Sequence, residues 1–118
     1  MKAVRLQARG GAEQLRYQEA PVPVPEPGYA LVRVHATGIT PAELAWPETW
    51  TSHGRPRHLP IPGHDEVGRV DRDDLTALVD AGRLRPIVSC VIPIAEARTA
   101  YEQGLAGHNR GKTVLTIT

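Results

Sequence analysis

Residues 29–44 read YALVRVHATGITPAEL, and this stretch sets the fold class. From Tyr29 to Thr37, Leu31, Arg33 and His35 alternate with Ala30, Val32, Val34 and Ala36. Side chains of a strand point alternately to its two faces, so this segment predicts a strand with one polar and one buried face. Gly38-Ile39-Thr40-Pro41 ends it. Pro41–Ala45 predicts a short helix, with Thr40 as N-cap and Pro41 in the first helical position, where a missing N–H costs nothing.

Upstream, Lys2–Ala8 (KAVRLQA) and Leu15–Ala20 (LRYQEA) alternate and flank Gly10-Gly11. They predict two strands of a hairpin or near-hairpin. PVPVPEPG, residues 21–28, has proline at every second position and predicts a rigid extended connector, because proline cannot donate to a ladder. Downstream, Trp46 to Pro62 carries four prolines and Gly54 and predicts a long irregular loop. Val67–Val70 predicts the start of a further strand. Over Asp71–Ala81 the period changes: Leu75, Leu78 and Val79 fall at helical spacing behind an acidic start, with Gly82 as the stop. Pro86–Val91 predicts a strand, and Pro93–Gly104 a second helix with Ile94, Ala97 and Tyr101 on one face, ended by Gly104 or Gly107. Thr113–Ile117 predicts a closing strand. Strands first, then helix, strand, helix, strand is an α+β layout.

The chain has 118 residues, enough for one domain. Its net charge of +1 gives no electrostatic footprint for nucleic acid or an anionic membrane. No apolar run could span a bilayer, and the alternating N-terminus is unlike a signal peptide, so a cytoplasmic location is expected. The single cysteine, Cys90, excludes an internal disulfide framework and a multi-cysteine zinc site. Phe is absent and Gly plus Pro make 22 residues. The core must therefore come from Val, Leu, Ile and Ala. Association that hides further apolar surface would help so small a domain.

Three features could carry chemistry. Ala106–Thr113 (AGHNRGKT) matches a relaxed phosphate-loop pattern. That loop needs a strand before it and a helix after it, and the order here is inverted, so the match is read as chance. No Gly-x-Gly-x-x-Gly occurs anywhere in the chain. His64, Asp65 and Glu66 follow Gly63, and a histidine beside carboxylates can ligate zinc or move protons, although a closed zinc shell needs about four ligands. Trp46 and Trp50 lie in the long loop, either packing it down or walling an apolar pocket.

The run MKAVRLQARGGAEQLRYQEAPVPVPEPGYALVRVHATGITPAEL, the string IPGHDEVGRV and the tail LTALVDAGRLRPIVSCVIPIAEARTAYEQGLAGHNRGKTVLTI resemble medium-chain dehydrogenase/reductases, within them the zinc-free quinone oxidoreductase or zeta-crystallin-like branch. The resemblance covers nearly the whole chain. It implies a GroES-like (alcohol dehydrogenase N-terminal type) partial β-barrel. Residues 1–70 would form the N-terminal barrel portion and residues 71–118 the tail portion, with two helices. The family's Rossmann domain, which binds NADPH in full-length relatives, would stand between residues 70 and 71. No cofactor is expected on these residues alone.

Zinc-dependent relatives place a cysteine directly after Gly-Ile. Thr40 holds that place here, so no metal is expected. The resemblance points to His64, Asp65 and Thr40 as catalytic candidates, and to Thr40, Trp46, Trp50 and His64 as substrate-pocket candidates. The expected function is that of a catalytic-domain remnant of an NADPH-dependent quinone or enone oxidoreductase. It would bind a small apolar molecule, be redox-inactive alone, and pair as a homodimer. A non-redox biosynthetic enzyme (cyclase, isomerase or dehydratase) using His64, Asp65, Glu66 and Thr40, or a non-catalytic interaction module, stands as the alternative. Whether the chain is itself an enzyme is left open.

Overall fold

The computed structural model describes residues 1–31, 33–63, 80–83, 85, 87–107 and 110–117. Among them the chain forms three small sheets and few helices, with no closed barrel. The mixed α and β content agrees with the sequence reading.

The first sheet is the expected hairpin. β1 (Lys2–Leu6) pairs antiparallel with β2 (Leu15–Glu19), placing Leu6 opposite Leu15 and Lys2 opposite Glu19. The connection is wider than a tight glycine turn. Gly10 and Gly11 lead into a 3-10 turn, Ala12–Gln14, whose Ala12 is buried beside Leu15. The Gly11 N–H donates to the Glu13 carboxylate at 2.9 Å.

The second sheet joins the two ends of the sequence. β3 (Ala36–Ile39) runs antiparallel to β7 (Lys112–Thr116), and β7 runs parallel to β6 (Val88–Pro93), in the order β3-β7-β6. The tail therefore supplies the central strand. A register shift between Val88 and Cys90 marks a bulge at the start of β6.

The strand expected over Tyr29–Thr37 is a correction: the ladder covers only Ala36–Ile39. The Tyr29 N–H is taken by the Glu26 carbonyl at 2.9 Å, closing a turn at Gly28, whose φ is +87°. Beyond β3 the pairing reaches back by one bond, from Ile117 N–H to the His35 carbonyl at 2.8 Å. Alternation prepares a face for burial, but a strand also needs a neighbour to take its N–H and C=O groups. Tyr29 and Leu31 are left largely exposed.

The proline connector, residues 21–28, carries no ladder, as proline spacing requires. The loop after Trp46 is more ordered than expected. It holds a single helical turn, α1 (Pro47–Trp50), and a two-residue hairpin of β4 (Thr51–Ser52) and β5 (Arg55–Pro56), the third sheet. His53 and Gly54 have φ of +50° and +73°, and positive φ at both central residues is what lets a hairpin reverse in two residues. β1 holds the end of this segment: the Leu6 N–H donates to the Pro60 carbonyl and Arg5 Nε to the Leu59 carbonyl, both at 2.9 Å.

The tail helix begins with a 3-10 turn, Ile94–Glu96, and continues as α2 (Ala97–Leu105). Ala97, Ala100 and Tyr101 are its buried residues. Gly104 does not end it. Gly104 lies inside the helix against Pro41, and Gly107, at φ +79°, follows the cap. The expected strand at Val67–Val70 lies outside the described residues, as does the helix expected over Asp71–Ala81 except its end. There Asp80 is helical and Gly82 has φ +70°, the left-handed conformation that suits a helix stop.

The core joins Val4, Leu6 and Leu15 of the hairpin, Ile39 and Leu44, and Ile92, Ala97, Ala100, Tyr101 and Leu115 of the tail. With no Phe in the chain, Tyr101 is the largest fully buried side chain among the described residues.

Candidate functional site

The segment after β3 folds back on itself. Pro41–Ala45 forms a 3-10 turn, with the Glu43 N–H on the Thr40 carbonyl at 2.8 Å. This turn runs straight into α1, where the Thr49 N–H reaches the Trp46 carbonyl at 3.1 Å. The corner buries Glu43 and Thr49 completely. A polar group this deep is tolerated only when hydrogen-bonded. The Tyr101 hydroxyl, from α2, donates to Glu43 Oε1. Thr49 Oγ1 donates to the Glu43 carbonyl oxygen at 2.6 Å, and Trp50 Nε1 to the Leu44 carbonyl at 2.8 Å.

Thr40 occupies the N-cap position, but its side chain makes no capping bond. Its hydroxyl instead accepts from the Lys112 ammonium at 2.9 Å. The antiparallel pairing of β3 with β7 causes this: Ile39 stands opposite Thr113, which puts the start of β7 beside the end of β3.

A cavity of about 640 Å³ opens between the hairpin and the β3-β7 sheet. Val4, Val22, Leu31, Val34, Ile61 and Ile117 give it apolar walls, and Thr37, Gly38 and Ile39 of β3 form part of its lining. Lys2, Arg33 and Arg57 also line it. Its size is within the range of small-molecule sites, roughly 300–1,000 Å³.

The residues singled out from sequence fall in different places. Thr40, Trp46 and Trp50 share the corner after β3, next in sequence to the cavity wall, but none of the three lines the cavity. Trp50 packs on the core, with the Arg9 guanidinium 5.0 Å from its ring centre, a cation–π contact. Trp46 is 38% exposed. His64, Asp65 and Glu66 lie outside the described residues. Sequence reasoning missed Glu43 and Lys112. Glu43 reads as an ordinary surface acid of a short helix, and its partner is 58 positions away. Lys112 stood within the rejected phosphate-loop match; α2 before it and β7 through it confirm the inverted order.

A family model described as zinc-binding dehydrogenase matches residues 21–115, most of the chain. The chain belongs to the zinc-binding dehydrogenase family, in the medium-chain dehydrogenase/reductase superfamily. Curated relatives agree over shorter stretches. The human mitochondrial NAD(P)H oxidoreductase RTN4IP1 is 40% identical over 45 residues, 38% of this chain and 11% of that protein. An erythritol/L-threitol dehydrogenase of Mycolicibacterium smegmatis is 39% identical over 75 residues, 57% of this chain and 21% of the relative. A quinone oxidoreductase of Pongo abelii is 36% identical over 72 residues, 60% of this chain and 22% of the relative. The chain thus spans about a fifth or less of the length of these dehydrogenases and reductases.

The family's name raises two groups to fit. For zinc, Thr40 is the one candidate position among the described residues, and it does not suit. The hydroxyl of Thr40 already faces the Lys112 cation at 2.9 Å, and a neutral hydroxyl beside an ammonium is a poor place for a divalent ion. Among the described residues no three His, Cys, Asp or Glu side chains come together. For a nicotinamide dinucleotide, α2 is the one helix of eight residues or more among the described residues. Its cap is the acid Glu96, with no glycine turn before it, which repels phosphate rather than cradling it. No helix among the described residues is long and apolar enough to cross a membrane.

Proposed function

We propose that these 118 residues are the catalytic-domain portion of an NADPH-dependent quinone or enone oxidoreductase of the zinc-free branch, built on a partial GroES-like barrel. In this reading they bind a small apolar molecule and do not bind NADPH or transfer hydride by themselves. The observation that carries it is the apolar cavity. It forms where the N-terminal hairpin and β3 meet strand β7 of the tail, so both ends of the sequence are needed to shape it. Hydride chemistry belongs to the cofactor, and a protein contributes binding and orientation. Here the chain's own part is to hold an apolar body in the cavity. Thr40, held by Lys112 at 2.9 Å, stands at the corner next in sequence to the cavity wall. The names of the relatives, an NAD(P)H oxidoreductase and a quinone oxidoreductase, support the redox class.

Fluorescence titration checks this. Small quinones should quench Trp46 and Trp50 in a saturable way, and NADPH should give no saturable signal. Submillimolar NADPH affinity would overturn the assignment. The non-redox alternative draws on Thr40 with His64, Asp65 and Glu66 as proton-moving groups. A reaction whose pH–rate profile is unchanged by His64→Ala and by Asp65→Asn would remove that alternative.

A further inference from the structure

We infer that Arg57 recognises the polar group of the ligand: its guanidinium, fixed at the cavity wall, donates to the carbonyl oxygen of a neutral enone or quinone whose apolar body fills the space. The inference rests on the reading of the cavity as a site for a small apolar molecule. It adds the residue that selects a carbonyl compound over a plain hydrocarbon. The starting point is what the lining can donate. Val4, Val22, Leu31, Val34, Ile61 and Ile117 give walls but no side-chain donors.

The polar side chains of the lining differ in what they have left. A hydroxyl has a single hydrogen. That of Thr37 goes to the Gly38 carbonyl at 3.1 Å, and that of Tyr101 goes to Glu43. Lys2 and Arg33 are exposed, and Lys2 Nζ is held by Glu19 at 3.0 Å.

Arg57 is half-buried and held from several sides. Its backbone N–H donates to the Trp50 carbonyl at 2.8 Å, Nη1 to the Thr49 carbonyl at 3.2 Å and Nη2 to the Ile61 carbonyl at 3.5 Å. β1 grips the segment that follows, at Leu59 and Pro60. The guanidinium is therefore stretched between α1 and Ile61, itself part of the lining. A guanidinium carries a second hydrogen on each terminal nitrogen and another on Nε, enough to donate to a ligand as well. A group already ordered in the free protein loses little freedom on binding. An N–H of a charged donor makes a stronger bond to a carbonyl oxygen than a neutral donor does, and apolar surroundings strengthen it further.

Carvone and limonene share a carbon skeleton, and only carvone has a carbonyl, conjugated as in an enone. Equilibrium dialysis of the 118-residue chain against each, quantified by gas chromatography, gives both affinities. Arg57→Met keeps an apolar stem and removes the donors. It should weaken carvone about tenfold and leave limonene unchanged. The wild-type chain gives a reading without any substitution. In proton–nitrogen nuclear magnetic resonance the Arg57 Nε–H signal should move on adding carvone and stay in place on adding limonene. Val34→Trp, at a lining position outside the bonds of Arg57, should fill the space and abolish both ligands.

Carvone and limonene weakened equally by Arg57→Met, or an Arg57 signal that carvone leaves in place, would overturn the role of Arg57 and leave the apolar pocket standing. Where Arg57→Met lacks the far-ultraviolet circular dichroism of the folded chain, the wild-type signal decides. Binding of neither compound by the folded wild-type chain would overturn the reading of the cavity itself. Binding that survives Val34→Trp would place the ligands elsewhere on the surface and overturn both.

Discussion

Tyr101 shows what one side chain settles in this molecule. Its ring fills the core that a chain without Phe must build, and its hydroxyl satisfies the buried Glu43 carboxyl. Tyr101→Phe keeps the ring and removes the donor. Removing one partner of a buried hydrogen bond costs roughly 1–3 kcal/mol, so a loss of about that size is expected in urea unfolding. A second residue-scale test is Gly104. An added Cβ would lie 2.2 Å from Pro41 Cγ. Alanine ordinarily gains about 1 kcal/mol over glycine inside a helix. Here the clash should reverse the sign, and Gly104→Ala should lower the melting temperature. From sequence, Gly104 served as a possible helix stop. Its actual role depends on Pro41, 63 positions earlier, and no local pattern contains that contact.

At the scale of elements, the β1-β2 hairpin was readable because its signals are local: alternation, a pair of glycines, alternation again. The helix face of Ala97 and Tyr101 was readable for the same reason. The hairpin also carries the clearest electrostatic feature. Lys2, directly opposite Glu19, holds the Glu19 carboxyl below its ordinary range, and the N-terminal ammonium adds to the effect. A carboxyl whose pKa falls on folding favours the folded state above its ordinary pKa. That contribution is lost as the pH falls through the lowered value. Nuclear magnetic resonance titration should therefore find Glu19 protonating at lower pH than a free glutamate, and Lys2→Ala should move it back up. Glu13 is lowered too, chiefly by the Gly11 N–H, and should be insensitive to that substitution. The strand expected at Tyr29–Thr37 shows the limit of element-level reading. Its alternation was present, but whether a ladder forms is decided by which neighbour arrives, and β7 meets only its last part.

At the scale of the whole molecule, β3 and β6 are the outer strands of their sheet among the described residues. Next to and along β6, Ile87, Val88 and Val91 are exposed by 73%, 46% and 60%. An unpaired edge carrying apolar side chains recruits another strand. A homodimer paired along β6 is the expected outcome in native mass spectrometry and sedimentation. Val91→Lys should shift it to monomer, since an edge lysine resists such pairing. A wild-type chain that sediments as a monomer at high concentration would count against the dimer.

The sequence by itself determined the family, a mixed α and β content, the β1-β2 hairpin and the tail helix, and it contains no dinucleotide-binding fingerprint. Each is written in residue types close together along the chain. Tertiary structure alone decided that the tail strand β7 sits between β3 and β6, that Glu43 is buried under Tyr101, and that Lys112 faces Thr40 across 72 positions. It also decided that Arg33 and Arg57 border one apolar space. The physical reason is that hydrogen-bond ladders, burial and charge compensation are properties of neighbours in space, and those neighbours come from opposite ends of the chain.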